Sequence, residues 1–237
     1  MKKITKTKMA ALFLAVSMVF SSCGTAQKNG TLIGGGGGAA LGALIGSLVS
    51  GHGDKNKGAL IGGAIGAAVG GTAGNLIGKH MDKVKAQAAA AAQNATVETV
   101  KIDGLDAVKV TFDNGILFSV GKANLQSAAQ SELSKFSTVL KNNTDCNVAI
   151  LGFASSDGSD ATNLTLSKNR ANAVSTYLKS QGVGASQLAK VDGLGEDPNY
   201  LVRNADGSEN MEASRRVEVY LFASEAMIQA AQNGTLK

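Results

Sequence analysis

Few side chains in this sequence can do chemistry, and most of those stand alone. The chain has 237 residues, with two cysteines, Cys23 and Cys146, and two histidines, His52 and His80. Two cysteines make neither a disulfide framework nor, by themselves, a zinc site. No Ser-His-Asp set, metal cluster or nucleotide loop is legible. The glycine run from Gly34 to Gly38 is not followed by the Gly-Lys-Ser/Thr of a phosphate loop. These absences read as a protein that is not an enzyme and needs no cofactor or metal. Arg170 is the one charged residue that breaks a pattern. It lies four residues from both Leu166 and Val174, on the apolar stripe of a helix. A charge there is paired or faces a pocket. A structural ion pair and an anionic ligand held by the planar guanidinium fork are both open at this point.

The N-terminus reads as an export signal over residues 1–22. Lys2, Lys3, Lys6 and Lys8 precede an apolar run from Met9 to Phe20, too short to span a bilayer. Phe20-Ser21-Ser22-Cys23 resembles the bacterial lipobox, with phenylalanine where leucine is usual. That resemblance implies a lipidated Cys23 (palmitate or a similar acyl chain) that holds the chain to outer-membrane lipid. Gly24, not Asp, follows, which by the same analogy permits sorting to the outer membrane. Acyl burial adds roughly 0.8 kcal/mol per methylene, and stable anchoring takes more than one chain. Residues 23–31 then act as a tether. Cys146 is left unpaired, as a small buried apolar residue. The formal charge of +5 owes much to the four leading lysines; without them 19 basic residues face 18 acidic ones. With no basic stripe interleaved with aromatics, nucleic acid is not an expected partner.

Thirty glycines against one proline point to a second device. Glycines recur every four residues at 34, 38, 42 and 46, and again at 58, 62, 66, 70, 74 and 78. This spacing lines one helical face with glycine. Each glycine costs up to ~1 kcal/mol relative to alanine in a lone helix, so a second helix must pack against the stripe. Residues 32–80 are therefore expected to form an all-α glycine-zipper hairpin, turning at Gly51–Lys57. Homo-oligomers through the zipper and membrane insertion are both compatible with it. Residues 81–96, rich in alanine, read as a helical spacer.

From residue 97 to 223 the pattern changes to a folded α/β domain. Strands are expected at 97–102 and 107–112 around Asp103-Gly104, and another at 116–118 after Asn114-Gly115, both dipeptides being hairpin signals. Leu125, Ala129, Leu133, Phe136 and Leu140 mark a helix. A strand at 148–153, a helix through Leu166–Leu178, a weak strand at 188–191 and a strand at 216–222 follow. In the tail, 224–237, Ser224 caps a short helix. The order predicts an α+β fold with helices on one sheet face.

These residues carry a family resemblance. Asn163-x-x-Leu166-Ser167-x-x-Arg170-Ala171-x-x-Val174, then Gly193-x-Gly195-Glu196-x-Pro198, then Ser214-Arg215-Arg216-Val217-Glu218, resemble the OmpA-like peptidoglycan-binding domain. With lipobox and zipper, the arrangement looks like the YiaD group of outer-membrane lipoproteins. The resemblance implies a β-α-β-α-β-β sandwich in the periplasm. It also implies non-covalent binding of the diaminopimelate-type peptidoglycan stem peptide. Carried over by position, the family's carboxylate-binding arginine is Arg170. Its amine-binding aspartate falls on Ser155, in Gly152-Phe153-Ala154-Ser155-Ser156-Asp157-Gly158. A second family acid falls on Ser119, after Phe118. The expected ligand set is Arg170, Ser155, Asp157, Ser119, Phe118, Asn163, Leu166 and Arg215, with Asp157 either an acid turned inward to compensate for Ser155 or a solvated turn residue.

Overall fold

The computed structural model describes residues 71–119 and 121–236. The signal peptide, the Cys23 anchor and the zipper up to residue 70 lie outside the described residues.

The first element is helix α1, Thr72–Ala91. It starts inside the second zipper run and continues through the alanine-rich stretch. Ile77, Met81, Val84 and Ala88 recur at helical spacing and are buried. They share one core with the sheet, so the alanine-rich segment is docked on the domain rather than standing apart as a spacer. The approach is tight at Gly78, where a Cβ would stand 3.1 Å from Asp106 Oδ2. Among the described residues no helix is long and apolar enough to cross a membrane.

Strands β1 (Thr96–Ile102) and β2 (Leu105–Asp113) form an antiparallel hairpin that closes at Ile102 and Leu105. Asp103 and Gly104 both take positive φ, 51° and 82°, which is what a two-residue hairpin loop requires. The second hairpin signal, Asn114-Gly115, does not act as one. Asn114–Leu117 form a helical turn, α2, and Phe118 makes only an isolated bridge to Leu125. The reason is topological: β2 is already paired on both edges, so a strand at 116–118 has no vacant edge beside it.

Helix α3 (Ser127–Asn142), strand β3 (Cys146–Phe153), helix α4 (Asp160–Ser180) and strand β4 (Leu188–Gly193) follow. A helical turn, α5 (Met211–Ser214), leads into β5 (Arg216–Ala223) and the tail helix α6 (Glu225–Gln232). Ser224 caps α6 by accepting from Met227 N at 3.2 Å. The sheet order is β1-β2-β5-β3-β4, antiparallel except for the parallel β3/β4 pair. Every residue of the central strand β5 is buried. Val217, Val219 and Leu221 join the helical core with Phe112, Phe136 and Val174. Tyr220 and Phe222 join a second cluster on the other face, with Ala149, Leu151 and Phe153. Leu194 and Tyr200 pack against that cluster from the long segment after β4.

That second face also buries charge. Glu218 accepts from Arg216 Nε at 2.7 Å and from the Tyr220 hydroxyl. The Arg216 guanidinium carbon lies 4.0 Å from the Phe153 ring centroid. Paired and stacked in this way, the ions offset much of their desolvation cost.

Candidate functional site

Helix α4 carries the key arginine, and its ends are set by local chemistry. Ser159 caps the start through Thr162 N at 3.4 Å, and Asp160 in the first turn complements the helix dipole. Gly182, at φ 89°, provides the left-handed residue that closes the other end. In mid-helix, Gly152 and Gly193 bring β3 and β4 against the α4 backbone. A Cβ on either would overlap the backbone at Ser167 or Lys168. Ser167 Oγ accepts from Gly195 N at 3.0 Å in this contact. Arg170 sits one turn further along.

Arg170 is 2% exposed. Its Nε donates to the Lys122 carbonyl at 3.1 Å, and its guanidinium carbon lies 5.4 Å from the Phe118 ring centroid. Its Nη1 is buried without a hydrogen-bond partner. Among the described residues no carboxylate forms an ion pair with it. Burial, and then the positive charge of Arg215, lower its pKa from the ordinary arginine value. The guanidinium still stays charged at neutral pH. A buried cation with an unused donor and a like charge nearby has the chemistry to accept an anion.

The loop after β3 supplies the opposite polarity. Ser155 is buried, and its hydroxyl donates to Asp157 Oδ1. Arg215 Nη1 donates to Ser155 Oγ at 3.2 Å and lies 3.6 Å from Asp157 Oδ2. The Asp157 side chain is largely exposed, so its carboxylate also faces solvent. Asn163, buried on α4, ties the loop down by donating Nδ2 to the Ser155 and Asp157 carbonyls, both at 3.1 Å, and to Glu196. Ser156 N donates to the Glu209 carboxylate at 3.2 and 3.3 Å.

The structure thus brings Arg215, Ser155 and Asp157 together, with Arg170 near enough to feel the Arg215 charge. Asn163 positions the loop, and Phe118 underlies Arg170. Ser119 is exposed, with its carbonyl accepting from Lys122 N at 3.0 Å. Leu166 is half-buried. Sequence reasoning quoted Glu196 in a motif but gave it no role, and missed Glu209 and the Lys122 carbonyl. Glu196 follows the Gly193-x-Gly195 motif and was findable there; the other two act across the fold and leave no local signal. Ser214 is buried at the end of α5. Its hydroxyl accepts from Val202 N at 3.0 Å and so holds the segment that leads into Arg215.

The OmpA family model matches residues 117–215, and the YMGG-like Gly-zipper model matches residues 1–82. "Probable lipoprotein YiaD" of Escherichia coli K12 is 32% identical over 116 residues, 49% of this chain and 52% of that protein. "Outer membrane protein P5" of Haemophilus influenzae is 30% identical over 132 residues, 55% of this chain and 36% of that protein. The chain therefore spans about half the length, or less, of these relatives. A MotB-like protein from Desulfovibrio vulgaris shares the fold, with a TM-score of 0.51 at 22% identity, covering 64% of this chain and 96% of that one. Residues 117–215, which include Arg170 and the loop after β3, match the OmpA family, so this chain carries an OmpA-family domain beside a Gly-zipper segment at residues 1–82.

Proposed function

We propose that this chain is a lipid-anchored envelope protein that binds peptidoglycan non-covalently and ties the outer membrane to the cell wall. The observation that carries the reading is Arg170: a buried guanidinium with no acid partner among the described residues and an unpaired Nη1, inside the OmpA-family match. The diaminopimelate end of a stem peptide offers an amine beside a carboxylate. Arg170 receives the carboxylate. Asp157, held by Ser155 and Arg215, answers the amine in place of the family's aspartate. No bond is made or broken. Several copies in one leaflet facing a repeating polymer add avidity to weak single sites.

The test is binding of the purified full chain, in detergent, to isolated diaminopimelate-containing peptidoglycan. Arg170→Leu should abolish co-sedimentation while the thermal melting temperature stays close to that of the native chain, because no acid is left unpaired. Undiminished binding would overturn the reading. The anchor has its own test: mass spectrometry of the mature N-terminus should find acyl groups on Cys23. A second reading, a membrane-associated zipper oligomer with little wall binding, draws on the Gly-zipper match. Native-like fold and membrane retention without any peptidoglycan binding would favour it.

A further inference from the structure

Sequence spacing places His80 far from Asp145 and Cys146, but the fold brings them together. His80 lies on α1, and the other two stand at the start of β3. One ligand atom from each lies within 4.8 Å of the other two. His80 Nε2 and Asp145 Oδ2 are 3.3 Å apart. We propose that His80, Asp145 and Cys146 form a site for a zinc-class divalent cation that clamps α1 to the sheet.

The donor set fits that class. Zinc takes thiolate sulfur at about 2.3 Å, imidazole nitrogen at about 2.0 Å and carboxylate oxygen at about 2.1 Å. Around a tetrahedral ion with those radii, donor atoms stand roughly 3.3–3.6 Å apart. The His80–Asp145 pair already has that separation. The sulfur, within 4.8 Å of both, closes the remaining gap when the ion binds. A thiolate excludes magnesium and calcium, which prefer oxygen alone. Exposure is graded across the site: Cys146 is fully buried, the His80 side chain is 15% exposed and that of Asp145 is 35% exposed. The sulfur thus forms the floor, and the open side admits the ion and leaves a fourth position for water. As the metal–sulfur bond forms, the thiol proton passes to the buffer.

The consequence is mechanical. Helix α1 leaves the Gly-zipper match at residue 82 and continues across the sheet domain. A cation bound by α1 and β3 fixes that helix to the domain that holds Arg170. Zinc supply would then stiffen the connection between the N-terminal segment and the proposed wall-binding site, although the cation site does not depend on that function being correct.

The probe is Co2+ as a spectroscopic substitute, with Zn2+ in competition. The protein is the full, untagged, reduced chain carrying Cys23→Ser, so that Cys146 is the only thiol. One equivalent of Co2+ should produce thiolate-to-cobalt charge-transfer absorption with tetrahedral d–d bands, and Zn2+ should bleach both. Cys146→Ala should remove the charge-transfer band. His80→Gln, which keeps a hydrogen-bond donor toward Asp145, and Asp145→Asn should each weaken Co2+ binding at least tenfold. Zn2+ should also raise the melting temperature of the parent chain and leave that of Cys146→Ala unchanged. Absence of the charge-transfer band in a parent chain of native circular dichroism would overturn the site. So would Co2+ affinity unaffected by the three substitutions.

Discussion

Arg215 Nη1 donates to Ser155 Oγ at 3.2 Å, joining residues 60 positions apart in the chain. The same hydroxyl donates to Asp157. Ser155 is therefore a relay between a cation and an acid two residues along the loop. In the proposed reading, the ligand's amine needs a carboxylate near Arg170. In that reading the role falls to Asp157, which Ser155 and Arg215 hold.

Asp157→Asn should weaken binding of a diaminopimelate-containing stem peptide roughly 10- to 150-fold, the loss of one charge-assisted bond of ~1.5–3 kcal/mol. Ser155→Asp alone should also weaken it, because a carboxylate at the buried position 155 stands beside the Asp157 carboxylate and repels it. The double change, Ser155→Asp with Asp157→Asn, should recover most of the affinity. Titration calorimetry on the three variants decides the matter. Tighter binding by Ser155→Asp alone would show that Asp157 is a bystander.

Gly152→Ala tests what positions the arginine. The added methyl would overlap the Ser167 carbonyl, a backbone atom that cannot rotate away. Helix α4 must shift outward, at a cost of about 1–3 kcal/mol by the usual measure of overpacking. Urea unfolding should show the loss, and Arg170 should leave its place over Phe118. An unchanged midpoint would mean that the β3/α4 contact is looser than the geometry indicates.

Tyr220 sets an alkaline limit. Burial, and then the negative charge of Glu218, push its phenol well above the ordinary 10.0. Below pH 10.0 the phenol is protonated in both folded and unfolded chains, and its contribution to stability is complete. Above it the unfolded chain ionises first, so the unfolded state binds fewer protons and stability falls as pH rises, by up to about 1.4 kcal/mol per pH unit. Tyr220→Phe should remove that part of the slope while costing about 1.5–3 kcal/mol at neutral pH, where the bond to Glu218 is lost. Urea midpoints at a series of alkaline pH values measure both effects. A slope identical in the two proteins would contradict the assignment.

The elements of the domain were legible wherever one buried face repeats at a regular period. The stripe through Ala129, Leu133, Phe136 and Leu140 marked α3, and Asp103-Gly104 marked the β1/β2 turn, because both signals are local. Ser224 was readable as a cap for the same reason. Tertiary structure decided what these elements meet. Asn114-Gly115 carries a valid hairpin signal, yet β5 occupies the edge that a returning strand would need. Helix α1 reads as a spacer until its Ile77–Ala88 stripe finds the sheet. Arg170 was visibly out of place in its apolar stripe, but a buried charge is explained by its partner, and a partner is a non-local fact. Only the closed fold left it without an acid among the described residues, set Asp157 against Arg215 through Ser155, and carried His80 to Cys146. Periodicity records which side of an element is dry; the residues across the gap are chosen by chain closure over tens of positions.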